Sequence, residues 1–241
     1  MTKINIRGVI VDDDTAAFYS WFGMQSASPT MVSDILNDAD DDVEVDINSN
    51  GGDVFAASEI YTLLRAYSGK VTINITGMAA SAASVIAMAG DEVVMSPTAQ
   101  MMIHNVWTNI SGNANDLRAE SVNLDKADQS ILNAYEAKTG MKRDELYQLL
   151  NATTFMDAKE AVDKGFADRI MFADESVPAQ YNALDLMPSK AKINEFYTMM
   201  AMERERKAEP SSEQSKGPSL QQAKLAMLLG QSKGEKDNDE N

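Results

Sequence analysis

The stretch Val43-Glu44-Val45-Asp46-Ile47-Asn48-Ser49-Asn50-Gly51-Gly52-Asp53-Val54 decides the fold class. Its first five residues carry an apolar side chain at every second position, the period of a strand with one buried face. Asn48 to Asp53 is a turn cluster. After it, over residues 54–68, the period changes, and Ile60, Leu63 and Leu64 recur at helical spacing. A second alternating run, Val71-Thr72-Ile73-Asn74-Ile75-Thr76, comes directly afterwards. Strand, glycine turn, helix, strand is a βαβ unit, and such a crossover implies parallel pairing.

Working outward, the same alternation of elements continues. The Ala-rich stretch 79–89 favours a helix. Glu92 to Met95 reads as a short strand and Met101-Met102-Ile103 as another. Residues 113–139 predict a long helix with Leu117, Leu124 and Ile131 on one stripe and Gly140 placed to stop it. Shorter helices are expected over 143–150 and over 158–164, the latter closed by Gly165. The fold class is α/β. Composition shifts near residue 188, which divides the chain into a folded domain, 1–188, and a polar C-terminal extension, 189–241. The extension holds the linker-like run Pro210-Ser211-Ser212-Glu213-Gln214-Ser215-Lys216-Gly217-Pro218-Ser219 and a polar ending. It is expected to be largely disordered, with short helices over 193–207 and 220–229.

Composition excludes several kinds of chemistry. The 241 residues include no Cys and one His, so disulfides, thiolate metal sites, a cysteine nucleophile and a two-His zinc motif all drop out. No cofactor and no metal are expected. The net charge of −16 repels phosphate backbones, so nucleic acid is a poor partner. The extension holds nine basic and nine acidic residues, which assigns all of this charge to residues 1–188. No apolar run is long enough for a membrane span, and the amino terminus lacks the apolar stretch of a signal peptide. A cytoplasmic protein is expected.

Three features could carry chemistry. His104, the lone imidazole, closes a strand, where α/β folds place their sites. Gly77-Met78-Ala79-Ala80-Ser81-Ala82-Ala83-Ser84 lies after a strand and opens a helix, exposing a serine hydroxyl beside free helix N–H groups. The residues leave Ser81 and Ser84 as alternatives. Gly51-Gly52 permits a close approach of ligand to backbone N–H groups.

Taken in order, Ile47-Asn48-Ser49-Asn50-Gly51-Gly52-Asp53-Val54, Gly77-Met78-Ala79-Ala80-Ser81-Ala82 and Met102-Ile103-His104-Asn105 resemble the ClpP family of serine peptidases. The likeness runs over about residues 4–171 and is strongest to the ClpP-related proteases of tailed phages and prophages that mature proheads. The resemblance implies a ClpP/crotonase-like fold of repeated ββα units and selects Ser81 as nucleophile and His104 as general base. It implies an oxyanion hole from the N–H groups of Gly52 and Ala82, and peptide contacts at Gly51, Gly52 and Asn105. Its catalytic Asp falls on Thr153, leaving a Ser81–His104 dyad with Thr153 as a weak third member. Asp157 matches a helix start, where an N-cap role is expected.

The implied substrates are proteins, in this branch phage capsid or scaffold proteins. The implied assembly is a hexameric or heptameric ring, with the long helix at its subunit contacts. The same residues admit two other readings. A catalytically impaired scaffold or assembly protein would account for Thr153. An acyl-CoA enzyme of the crotonase superfamily would share the oxyanion hole but needs no serine nucleophile.

Overall fold

A computed structural model describes residues 1–173 and Tyr197. The boundary expected at residue 188 and the two helices expected in the extension lie outside the described residues. Described elements run β1 (Thr2–Ile10), α1 (Asp13–Trp21), β2 (Ser26–Ala27), α2 (Pro29–Asn37), β3 (Val43–Gly52), α3 (Val54–Ala66), β4 (Val71–Ala80) and α4 (Ala82–Ala87). They continue with β5 (Glu92–Met95), β6 (Gln100–Ile103), α5 (Ala114–Thr139), α6 (Arg143–Asn151), β7 (Thr154–Asp157), α7 (Ala158–Asp163) and β8 (Arg169–Ile170).

The main sheet has the order β2-β1-β3-β4-β5-β8, and every pair in it is parallel. Strand β4 forks. Its first half, Thr72 to Ile75, pairs with β5, and its last residues, Met78 to Ala80, pair with β6. Strand β7 then joins β6 antiparallel. This is the α/β architecture, with parallel crossovers, that the two alternating runs predict.

The alternation has a direct structural cause. Ile4 and Ile6 of β1, Val43, Val45 and Ile47 of β3, and Val71, Ile73 and Ile75 of β4 all point to one face and are fully buried. Each such side chain contributes roughly 2 kcal/mol through the apolar area it removes from water. Helix α3 covers this face with Ala56, Ala57, Ile60 and Leu64. Asp53 starts that helix by accepting the N–H groups of Phe55 and Ala56 at 2.7 and 2.8 Å. The opposite face is polar. There Asn74 donates to Asp46 at 3.2 Å and Lys3 pairs with Glu44 and Asp46.

Two sequence expectations are corrected. The turn cluster after Ile47 is a continuation of β3, whose pairing with β4 shifts register between Ile47 and Ser49. Likewise β4 runs on to Ala80, so the helix expected over 79–89 is the shorter α4, starting at Ala82. In both places an irregular ladder lets small residues stay in the strand. Asn48 bridges the two irregular stretches by accepting the Met78 N–H at 3.1 Å. The long helix is as read: Asn113 caps it in a capping box with Asp116, and Gly140 ends it at φ 67°.

At the end of the sheet, Glu92 of β5 receives Lys70 at 2.8 Å and Arg169 of β8 at 2.6 Å. These two cations hold its carboxyl down to about 2. A carboxylate depressed in this way stabilises the fold above its ordinary pKa, and that contribution fades as the pH falls from 4.5 towards 2. Both cations are half exposed, so screening leaves about 1 kcal/mol. Glu92→Gln is expected to lower stability by that amount at pH 7, with the difference closing below pH 4.5 in urea titrations.

Candidate active site

Ser81 stands between β4 and α4 with φ 54° and ψ −126°, a region that side-chain-bearing residues rarely adopt. Neighbours impose this conformation. The Ser81 N–H donates to the Met102 carbonyl of β6 at 2.8 Å. Its own carbonyl accepts the Ser84 N–H at 2.9 Å and the Ser84 hydroxyl at 2.6 Å. Ser84 Oγ also lies 2.8 Å from the hydroxyl of Tyr135 on α5. Because the single Ser84 proton is engaged by Ser81, Tyr135 is the donor in that second contact. Burial raises the phenol's pKa well above its ordinary value and keeps this donor protonated.

This geometry distinguishes the two serines. Ser84 is completely buried and bonded on both sides, whereas Ser81 directs its hydroxyl at His104, with Oγ to Nε2 at 2.7 Å. The contact is set by the sheet: Ala80 of β4 is in register with Met102 of β6, so the residues just beyond each strand meet. Burial lowers the pKa of the half-buried His104 ring, and the nearby charge of Asp128 partly opposes this. The ring is therefore neutral at pH 7. With its proton on Nδ1, Nε2 is free to accept from Ser81.

Gly51 and Gly52 lie against the same corner. Gly51 has φ +95°, and a Cβ there would stand 2.6 Å from the Ala80 carbonyl and 2.8 Å from Ser81 Cβ. Buried Ser49 fixes this approach, donating to the Gly8 carbonyl at 2.7 Å and accepting the Gly51 N–H at 3.0 Å. Gly52 lines the cavity beside Ser81. Ala82 is the first residue of α4, where backbone N–H groups have no partner within the helix.

That cavity, about 270 Å³, opens between the start of α3, the Ser81 corner and α5. Val54, Val85, Leu124 and Ile131 give it apolar walls, and Ser81 and His104 stand on its rim. Phe55 and Trp107, 76% and 67% exposed, flank it. Among the described residues no His, Asp and Glu group could hold a metal ion, and no helix is long and apolar enough to cross a membrane.

A comparison with protein families matches the Clp protease model over residues 25–174. The chain belongs to the Clp protease family. It is 32% identical over 131 residues to the ATP-dependent Clp protease proteolytic subunit 1 of Chlamydia muridarum, covering 53% of this chain and 68% of that one. With the proteolytic subunit of Deinococcus radiodurans it shares 29% over 132 residues, 54% of this chain and 65% of the other. With that of Bacteroides fragilis the figures are 30% over 177 residues, 71% and 80%. Against the first two of these Clp protease subunits, the chain thus spans about two thirds of the relative's length.

Two other expected site residues of this Clp-family chain, Thr153 and Asn105, make no side-chain hydrogen bond to Ser81 or His104. The β6–β7 ladder pairs Ile103 with Thr154, so Thr153 stands one step further along, level with His104. Thr153 is exposed at φ 50°, and its hydroxyl makes no hydrogen bond to the imidazole. Asp157 is an N-cap, closing a capping box with Glu160 on α7. Asn105, expected to contact a peptide, donates its side-chain amide to Asp128 Oδ2 at 2.7 Å.

Sequence reasoning misses Asp128. It is 4% exposed, and its other oxygen accepts the Val106 N–H at 2.7 Å. A signal is present: Leu124, Asp128, Ile131 and Tyr135 keep helical spacing, so Asp128 is a carboxylate on the apolar stripe of α5.

Proposed function

We propose that the chain is a serine endopeptidase in which Ser81 attacks the scissile carbonyl and His104 takes its proton, then returns it to the leaving amine. The observation that carries this reading is the 2.7 Å contact between Ser81 Oγ and His104 Nε2 at a strained strand-to-helix corner. The N–H groups of Gly52 and Ala82 are assigned to the developing oxyanion. The apolar cavity takes a substrate side chain, and the peptide lies as an added strand along Gly51–Gly52. Thr153 serves at most as a weak partner to His104.

The same reading extends to assembly and substrate. Leu117 and Val122 of α5 are about half exposed, which suits contacts between copies in a hexameric or heptameric ring. Phage capsid or scaffold proteins are the proposed substrates, on the likeness to prohead proteases, with action in the host cytoplasm or prohead. A second reading, an impaired assembly protein, draws on the absence of a hydrogen bond from Thr153 to His104.

A fluorophosphonate probe separates the two. The parent chain is expected to be labelled covalently and Ser81→Ala not at all, read by intact-mass spectrometry. A parent that stays unlabelled in every assembly state would favour the assembly role.

A further inference from the structure

Beyond Ile103 the chain leaves the sheet and has no regular structure until Asn113 caps α5. His104 therefore has no ladder of its own to orient it. The two residues after it are tied to a single side chain. Asp128 binds both positions with its two oxygens, Asn105 Nδ2 on Oδ2 and Val106 N–H on Oδ1, each at 2.7 Å. Among the described residues no Lys or Arg forms an ion pair with Asp128. A buried carboxylate held by two neutral donors and no cation is costly, and a positive charge forming beside it offsets that cost. The positive charge that would form beside it is the imidazolium of His104, whose Nδ1 has no hydrogen-bond partner among the described residues.

We propose that Asp128 is the positioning residue for His104: it pins the Asn105–Val106 strap to α5 and supplies, across that strap, the negative charge that Thr153 cannot. This rests on the reading of Ser81 and His104 as the reacting pair. It places the carboxylate on the helix packed over the site, away from the β7 side where the family's Asp is expected.

Other groups near His104 enter the test as a background. Asp53 and Glu120 line the same cavity, as does Tyr135, which stays protonated. The chain's single histidine makes the experiment direct, because its ring proton signals need no assignment. In the full chain carrying Ser81→Ala, NMR titration of His104 is compared with and without Asp128→Asn. Asp128 opposes the lowering caused by burial, so removing its charge is expected to lower the His104 pKa further.

With Ser81 present, Asp128→Asn is expected to slow fluorophosphonate labelling by about 100-fold, as misplaced groups do, and to move the acid limb of the labelling rate to lower pH. A purely structural role would slow labelling without moving that limb. An unshifted His104 titration with an unmoved limb overturns the proposal. Should Asp128→Asn fail to fold, Asn105→Ala replaces it, removing one donor and keeping the charge. The expectation is then slower labelling with a His104 pKa no lower than the parent's, and unchanged labelling overturns the proposal. Because the titration needs no activity, an unlabelled parent with a shifted His104 would reject the peptidase reading while leaving the Asp128–His104 coupling standing.

Discussion

Ser81→Gly is expected to abolish turnover yet give a more stable protein than Ser81→Ala. Both variants lose the hydroxyl, and removing a serine nucleophile from such a site costs on the order of 10⁶ in turnover. They differ in one methyl group. At φ 54° and ψ −126° the Ala keeps the Cβ in a conformation that costs about 1–3 kcal/mol, whereas Gly adopts it freely. Against this, Gly gives the unfolded chain extra freedom worth roughly 0.5–1 kcal/mol. The balance leaves Ser81→Gly ahead by about 1 kcal/mol, measurable by chemical denaturation. The reverse order of stability would mean that the corner is not strained. The comparison thus reads the strain separately from the chemistry, because neither variant can react.

Gly52→Ala carries the second large effect, on the fold. A Cβ at Gly52 would meet the Ile10 carbonyl oxygen at 2.0 Å and further Ile10 backbone atoms at 2.9 Å, at φ +153°. All of these are backbone, so no side chain can turn away, and β1 and β3 must separate at their paired ends. Moving the Asp53 N–H off Ile10, where it donates at 2.8 Å, then loosens the cap of α3. A loss of about 3 kcal/mol or more is expected in urea titrations, together with loss of fluorophosphonate labelling as the Gly51–Gly52 backbone shifts. Gly23→Ala is the control. Its φ is +70°, but no atom lies within 4 Å of the added Cβ, so only the backbone cost of about 1 kcal/mol applies. Equal losses in the two variants would show that contact with Ile10 carries no weight.

An element is legible in the sequence where the physics that forms it is local. Strands β3 and β4 are legible because their parallel sheet keeps one polar face, which preserves the alternation that burial on both sides would erase. Helix α5 is legible from Gly140 and from the Leu124 to Ile131 part of its stripe, whereas Leu117 at the start of that stripe is about half exposed. The ends of β3 and β4 are not, since glycine and alanine signal turns or helices while a shifted ladder holds them in strands here. Strand β7, four residues long, takes its identity from β6 and has little pattern of its own.

At the site, Ser81 and His104 could be named by resemblance, and the structure brings them into contact. Asp128 is marked only by its place on the apolar stripe of α5, and what its carboxylate holds depends on the fold that brings residues 105 and 106 to it. The direction of Asn105 is equally hidden. Its amide turns inward onto that carboxylate.

The pairing of Ala80 with Met102 has a genetic consequence. Ser81 lies one residue past its strand and His104 two past Met102, so their meeting depends on counting along both strands. Substitutions at exposed Gln100 or half-buried Met102 preserve that count. A single-codon insertion or deletion within either strand end would turn the next side chain to the opposite face and part the two groups. Length changes that spare the Ser81–His104 contact are therefore expected only in the irregular chain after Val106, whereas the segments leading to Ser81 and His104 are expected to tolerate replacement alone.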